Sequence, residues 1–160
     1  MEGVRPATED DLARLAELTR AAIAELTPMK GGGVWAAREA RPEPVEESLK
    51  ASLADQNTRV VVGTIDDVPI GYAAVHVEVL NDGSRLGVVD DIFVEEGARE
   101  VGVGEAMMGD LMSWCGAEGC AGMDAVALPG HRSAKNFFEE SGFTARKLVM
   151  HHRLGERRSR

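Results

Sequence analysis

Between Arg59 and Val94 the chain reads as three short runs rich in β-branched residues, Arg59–Ile65, Ile70–Leu80 and Leu86–Val94, separated by little more than turn formers. Asp66-Asp67 and Asn81-Asp82-Gly83-Ser84 are too short to carry a crossover connection, so consecutive runs must lie antiparallel. No other feature restricts the fold as much. In the middle run Val75, Val77 and Val79 share one face, while Tyr72, His76 and Glu78 share the other.

The flanks have a different period. Val4 to Pro6 reads as a short strand, and Thr8 with Asp11 three residues on reads as a capping box. Leu12, Leu15, Leu18, Ala22 or Ile23, and Leu26 then form a helical stripe that Pro28 and Gly31-Gly32-Gly33 stop. A more polar helix is expected from Val45 to Leu53. After the meander, Glu100 to Gly116 reads as a helix presenting Val103, Met107, Leu111 and Trp114. A strand over Met123–Leu128, a helix over Ser133–Ser141 closed by Gly142, and a final strand over Phe143–Leu154 complete the order β-α-α-β-β-β-α-β-α-β. The fold class is α+β: a mixed central sheet with an antiparallel N-terminal meander, a β-α-β-α-β C-terminal half, and helices on both faces. At 160 residues, one domain accounts for the chain.

Apolar residues make up 44% and charged residues 28%, the balance of a globular protein. No apolar run approaches the length of a membrane span, and the acidic start lacks the apolar core of a signal peptide. Cys115 and Cys120 are too few for a disulfide framework or a zinc site, which fits a cytoplasmic protein without a metal. The net charge of −9 is uneven. From Arg146 onward there are six of the 18 basic residues and one of the 27 acidic ones, which leaves −14 on the first 145 residues. A body that acidic repels nucleic acid, whatever its basic tail.

Chemistry concentrates where the third run of the meander ends. Asp90-Asp91-Ile92-Phe93-Val94 leads into Arg99-Glu100-Val101-Gly102-Val103-Gly104, a loop with two glycines at the start of an amphipathic helix. Glycine admits close backbone approach, and the first helical turn offers unpaired N–H groups with partial positive charge. Such a loop suits a pyrophosphate. It is no Walker loop, lacking Gly-Lys-Ser/Thr, and no dinucleotide fingerprint, because Met107 stands where the third glycine belongs.

Arg99-x-x-Gly102-x-Gly104 resembles the Arg/Gln-x-x-Gly-x-Gly/Ala pyrophosphate loop of the GNAT superfamily of N-acetyltransferases. Asp90-Asp91-Ile92-Phe93-Val94 is similar to that family's strand end before the loop, and Val68-Pro69-Ile70-Gly71-Tyr72 to its earlier strand start. Ala134-Lys135-Asn136-Phe137-Phe138-Glu139-Glu140-Ser141-Gly142-Phe143 resembles its Ala-x-x-Leu-Tyr-Glu-x-x-Gly-Phe helix. The pieces keep the family's order and span nearly the whole chain. The resemblance implies a GNAT-like domain over residues 1–154 with a basic tail at 155–160, and acetyl-CoA as co-substrate. It further implies that Ile92, Phe93 and Val94 meet the pantetheine arm, with a bulge there aiming the Val94 N–H at the thioester oxygen. Arg99, Glu100, Val101, Gly102, Val103 and Gly104 would hold the pyrophosphate, and Phe138 would line the cofactor site.

An amine of pKa ~10.4 is neutral in only about one molecule in 2,500 at pH 7, a handicap of roughly 4.6 kcal/mol that a positioned base relieves in part. Asp90 is the candidate base, on the strand beside the expected thioester, whereas alternation turns Asp91 to the opposite face. His76 and Glu78 stand in reserve. Two positions depart from the family pattern: Phe138 replaces the tyrosine that often protonates the departing sulfur, and His131 stands where asparagine is common. A thiolate is a weak base and leaves without a dedicated acid, so positioning and the Val94 donor would carry the reaction. The expected activity is acetyl transfer to a primary amine of a small molecule or peptide in a ternary complex, and the alternative is a non-catalytic acyl-CoA sensor. Neither a nucleic acid nor a membrane is an expected partner. A homodimer is compatible with the sequence, and nothing in it names the acceptor.

Overall fold

The computed structural model describes residues 1–99 and 102–155. Its elements are β1 (Glu2–Pro6), α1 (Leu12–Leu26), α2 (Gly32–Arg38), α3 (Val45–Ala54), β2 (Thr58–Ile65), β3 (Val68–Val79), β4 (Arg85–Val94), α4 (Val103–Ala117), β5 (Cys120–Asp124) and α5 (Arg132–Glu140). The capping box forms as read. Asp11 accepts from the Thr8 N–H at 2.8 Å and from both terminal nitrogens of Arg5 at 2.8 Å, which ties the start of α1 to β1.

One sheet in the order β1-β2-β3-β4-β5 runs through the molecule. Its first four strands are antiparallel, and β5 joins parallel to β4 after the α4 crossover. The β2–β3 turn is only Asp66-Asp67, both at positive φ, the conformation a two-residue hairpin demands. Alternation along β2 and β3 then feeds two cores. Val60, Val62, Tyr72 and Ala74 meet Leu15, Leu18, Val45 and Leu49 from α1 and α3. Val61, Ala73 and Val75 meet Val103, Met107, Leu111 and Cys115 of α4 on the other face. Gly63 and Gly71 lie opposite each other in the register and make the groove for α4. A Cβ on Gly63 would come within 2.3 Å of Val103 Cγ1, and one on Gly71 within 3.2 Å of Met107 Cε.

Three expectations are corrected. The expected β-α-α-β opening gains a helix, because Gly31 in the left-handed conformation starts the short α2. The fifth strand is Cys120–Asp124, earlier than Met123–Leu128, because its pairing with β4 stops at Val88 and Asp124, just before β4 bulges away. Phe143–Leu154 forms no strand within the chain's own sheet, and Leu148, Val149, Met150 and Leu154 are 79–87% exposed. Alternation tells which face of a strand is apolar. It does not supply an edge to pair with.

Candidate acyl-transfer cleft

β4 pairs with β5 only over Arg85–Val88, so the two parallel strands splay apart beyond that point. On the other side of β4 the Glu95 N–H donates to the Ile70 carbonyl at 2.9 Å. By alternation the main-chain groups of Val94 and Ile92 therefore point to the open edge. A cleft of about 440 Å³ fills the splay. Ile92, Phe93 and Val94 form one wall, Val126, Leu128, Phe137 and Phe138 the other, with Gly104 and Arg99 at one end and Trp35, Tyr72, Asp90 and Asp91 toward the other.

At the loop end, α4 has Gly102 as its N-cap at φ 82°, and no side chain caps it. Its first intrahelical donor is the Ala106 N–H, bonded to the Gly102 carbonyl at 3.1 Å, so the N–H groups of Val103, Gly104 and Glu105 precede the ladder. Gly102 is favoured by its conformation, and Gly104 by close packing. A Cβ on Gly104 would sit 3.2 Å from the Phe137 ring, so α5 rests directly on the first turn of α4. Arg99 folds inward over the Phe93 ring at 5.4 Å, donates to the Val94 carbonyl at 2.9 Å and pairs with Glu25 at 2.7 Å. The Val94 carbonyl is thus engaged, which leaves its N–H and both main-chain groups of Ile92 for a ligand along that edge. Glu100 and Val101 lie outside the described residues.

The other end is polar. The register of β3 and β4 slips between Ala74↔Asp91 and Val75↔Val89, so Asp90 is an extra residue, a β-bulge. Two expectations change with it. The bulge lies at Asp90, while Ile92, Phe93 and Val94 pair without interruption opposite Ala73, Tyr72 and Gly71. Asp91 does not face away from Asp90: both carboxylates line the cleft and an adjoining polar recess of about 310 Å³. Asp91 is clamped by Arg41 at 2.7 Å and accepts from the Tyr72 hydroxyl at 3.1 Å. Arg41 also donates to the Ser48 and Ser52 hydroxyls at 3.0 and 2.9 Å. Burial holds the Tyr72 hydroxyl well above its ordinary pKa, so it stays protonated as a donor.

Asp90 meets the Nδ1 of His76 at 2.8 Å. Burial raises its pKa above the ordinary carboxylate value, and the His76 hydrogen bond opposes that rise without cancelling it. His76, a reserve candidate, is therefore the partner of the leading one. Glu78 is exposed at the end of β3 and lines neither cavity. His131 is the N-cap of α5 and lines the cleft. Phe138 is buried between Phe137 and Phe143, with ring centroids at 5.6 and 5.7 Å, and lines the far wall. Arg41, Ser48, Ser52 and Glu39 were illegible in the sequence, because they reach the site from a proline-rich loop and α3 across some 40 to 50 residues. Among the described residues no cluster of three His, Cys, Asp or Glu is placed to hold a metal, and no helix is long and apolar enough to cross a membrane.

The architecture recurs in solved structures. A tetramutant of the BH1408 protein from Bacillus halodurans superposes with a TM-score of 0.81 at 18% identity, over 95% of this chain and 99% of that one. AAC(6')-Iy in complex with the bisubstrate analogue CoA-S-monomethyl-acetylneamine gives 0.74 at 19%, over 96% and 97%. An aminoglycoside acetyltransferase, meta-AAC0020, from an uncultured soil metagenomic sample in complex with sisomicin, gives 0.71 at 18%, over 98% and 97%. No curated protein sequence matches the chain. The stretch that builds the cleft, from the end of α1 through α5, lies within residues 22–143, which match the sequence pattern of the Acetyltransferase (GNAT) family, and this chain belongs to that family.

Proposed function

We propose that the chain is an N-acetyltransferase that moves the acetyl group of acetyl-CoA to a primary amine by direct attack in a ternary complex. The observation that carries this reading is the continuity of one cleft. It joins the uncapped first turn of α4 at Gly104, an open β4 edge at Ile92–Val94 and a carboxylate at Asp90. The first-turn N–H groups of α4 suit a pyrophosphate. Ile92 offers a donor and an acceptor to an amide-bearing arm, and the Val94 N–H a donor to a thioester oxygen as charge develops there. The apolar far wall around Phe138 excludes water from the thioester.

Asp90 is the proposed base. It precedes Val94 by four positions, roughly 13 Å along a regular strand, so the amine proton reaches it through water. His76 then holds the Asp90 carboxylate toward the cleft. The acceptor end carries Glu39, Asp90 and Asp91 with the pair-forming Arg41, a setting that favours a cationic amine. Aminoglycosides are one class within that description, and one structural neighbour is an aminoglycoside acetyltransferase in complex with sisomicin. Phe138, with no proton to give, is the one observation favouring a binding-only sensor. Thiol release from acetyl-CoA against polyamines, aminoglycosides, amino acids and peptides, with cofactor binding measured in parallel, separates the two. Binding without release across the panel would refute the transferase, and no binding would refute both.

A further inference from the structure

The cleft is short of positive charge. Among the described residues five carboxylates line it, those of Glu25, Glu39, Asp90, Asp91 and Glu105, against the guanidiniums of Arg41 and Arg99. Arg41 is committed to Asp91 at the polar end. The loop end is no better for an anion, because Glu2 and Glu105 lie 3.6 and 3.9 Å from where a Cβ on Gly102 would sit. Of the cleft-lining cations, Arg99 alone stands at the end where α4 begins.

Arg99 is already engaged. Its Nη2 donates to Glu25 Oε1 at 2.7 Å, and its Nε to the Val94 carbonyl at 2.9 Å. The side chains of Arg99 and Glu25 are 36% and 29% exposed, and a pair that wet exchanges at little cost. One guanidinium carries one charge. While it neutralises Glu25, it does not also neutralise a pyrophosphate at the first turn of α4. The same fork fixes where Glu25 stands. Its carboxylate and the Val94 carbonyl meet two nitrogens of one planar group, so Glu25 lies within about 8 Å of the Val94 carbonyl, nearer than Asp90 four strand positions away.

We propose that Glu25 is the carboxylate that receives the acceptor's ammonium beside the thioester, and that Arg99 masks it until Arg99 turns to the cofactor's pyrophosphate. The inference rests on the cofactor site proposed above. Arg99 exchanges one anion for another and stays paired throughout. Glu25, in the last turn of α1, gives up its cation and faces the cleft with its charge unmatched. The replacement is the protonated amine that the acceptor brings, and Asp90 keeps its part as base. The two ligands therefore favour each other: Arg99 on the phosphate frees Glu25 for the ammonium, and an ammonium on Glu25 frees Arg99 for the phosphate.

The test begins with calorimetry of CoA binding to the full chain. Glu25→Ala, a change that a helix tolerates well, should tighten CoA at least ~3-fold. Glu96→Ala, which removes a carboxylate of the same loop outside the pair, should tighten it less than ~2-fold. Carbodiimide coupling of Glu25 to glycine ethyl ester, read by mass spectrometry, should rise when CoA binds the wild type. With the acceptor that the thiol-release panel identifies, Glu25→Ala should raise the KM of the amine about 10-fold and lower that of acetyl-CoA. A merely structural loss would raise both. Unchanged or weaker CoA binding in Glu25→Ala, an equal gain in Glu96→Ala, labelling of Glu25 that does not rise, or two KM values that rise together would each overturn the proposal and leave the cofactor site standing. A wild type that does not bind CoA refutes the cofactor site itself, and the proposal with it.

Discussion

Removing the Arg41 guanidinium tests how the acceptor end of the cleft is held. The side chains of Arg41 and Asp91 are 9% and 13% exposed, and the pair joins the loop before α3 to β4 beside Asp90. Arg41→Met keeps much of the volume but leaves the Asp91 carboxylate with the Tyr72 hydroxyl as its remaining side-chain donor, and frees the Ser48 and Ser52 hydroxyls. Breaking one side of such a buried pair costs about 3–5 kcal/mol. The expected loss is therefore about 3–5 kcal/mol at pH 7, read from urea denaturation. Asp91→Asn added to Arg41→Met should recover more than half. By contrast Arg20, which pairs with Glu43 and Glu46 on the open surface, should be replaceable at little cost. A loss below about 1 kcal/mol would refute the claim that Arg41 exists to neutralise a buried carboxylate.

Asp90→Asn should shift the acid limb of kcat/KM to higher pH: the variant's deficit, within the ~10²–10⁴ a general base supplies, is largest at low pH and closes as the free amine becomes neutral. An unaltered pH profile clears Asp90 of the role. Gly102→Glu puts a carboxylate where the backbone needs φ 82° and where Glu2 and Glu105 already lie 3.6 and 3.9 Å from a Cβ. Acetyl-CoA affinity by calorimetry should fall at least ~100-fold with the far-UV spectrum kept, and unchanged affinity removes the pyrophosphate assignment. Asp11→Ala should cost about 1–2 kcal/mol at pH 7 through the lost cap. Because the Arg5 hydrogen bonds lower the Asp11 pKa, its contribution is present above the unfolded carboxylate value and lost as pH falls through the folded one, so wild type and variant should converge in acid.

The fold was legible where periodicity and turns speak locally. The meander followed from Asp66-Asp67 and Asn81–Ser84, and the α1 start from Thr8 and Asp11. The α4 stripe of Val103, Met107 and Leu111 is buried as read, and Gly63 and Gly71 explain why that stripe packs so closely. What stayed hidden depends on register between strands. No local pattern announces that β4 carries one residue more than β3 at Asp90, and the rule of alternation then assigns Asp91 to the wrong face. Arg41 was invisible for a related reason: its partner is 50 residues away, and nothing beside it in Glu39–Pro44 encodes that contact. At Gly104 the sequence suggested ligand approach, and the close Phe137 ring adds a packing reason for the glycine that no local pattern announces.

The bulge at Asp90 links these points. Without it β4 would continue straight beside β5, the main-chain groups of Ile92 and Val94 would be consumed by a longer ladder, and only one of Asp90 and Asp91 would face the cleft. One inserted residue thus opens the sheet edge and doubles the carboxylates at the polar end of the cleft. Two neighbouring anions on one face repel, and the structure separates their tasks by giving each a different partner. Asp91 receives a permanent cation in Arg41 and a hydroxyl in Tyr72, which commits it to holding the wall. Asp90 receives only an imidazole, on a half-exposed edge, while burial pushes its affinity for protons up. Of the two, Asp90 is the one that the Arg41 guanidinium does not clamp. That asymmetry, more than its place in any motif, is why Asp90 is the proposed base.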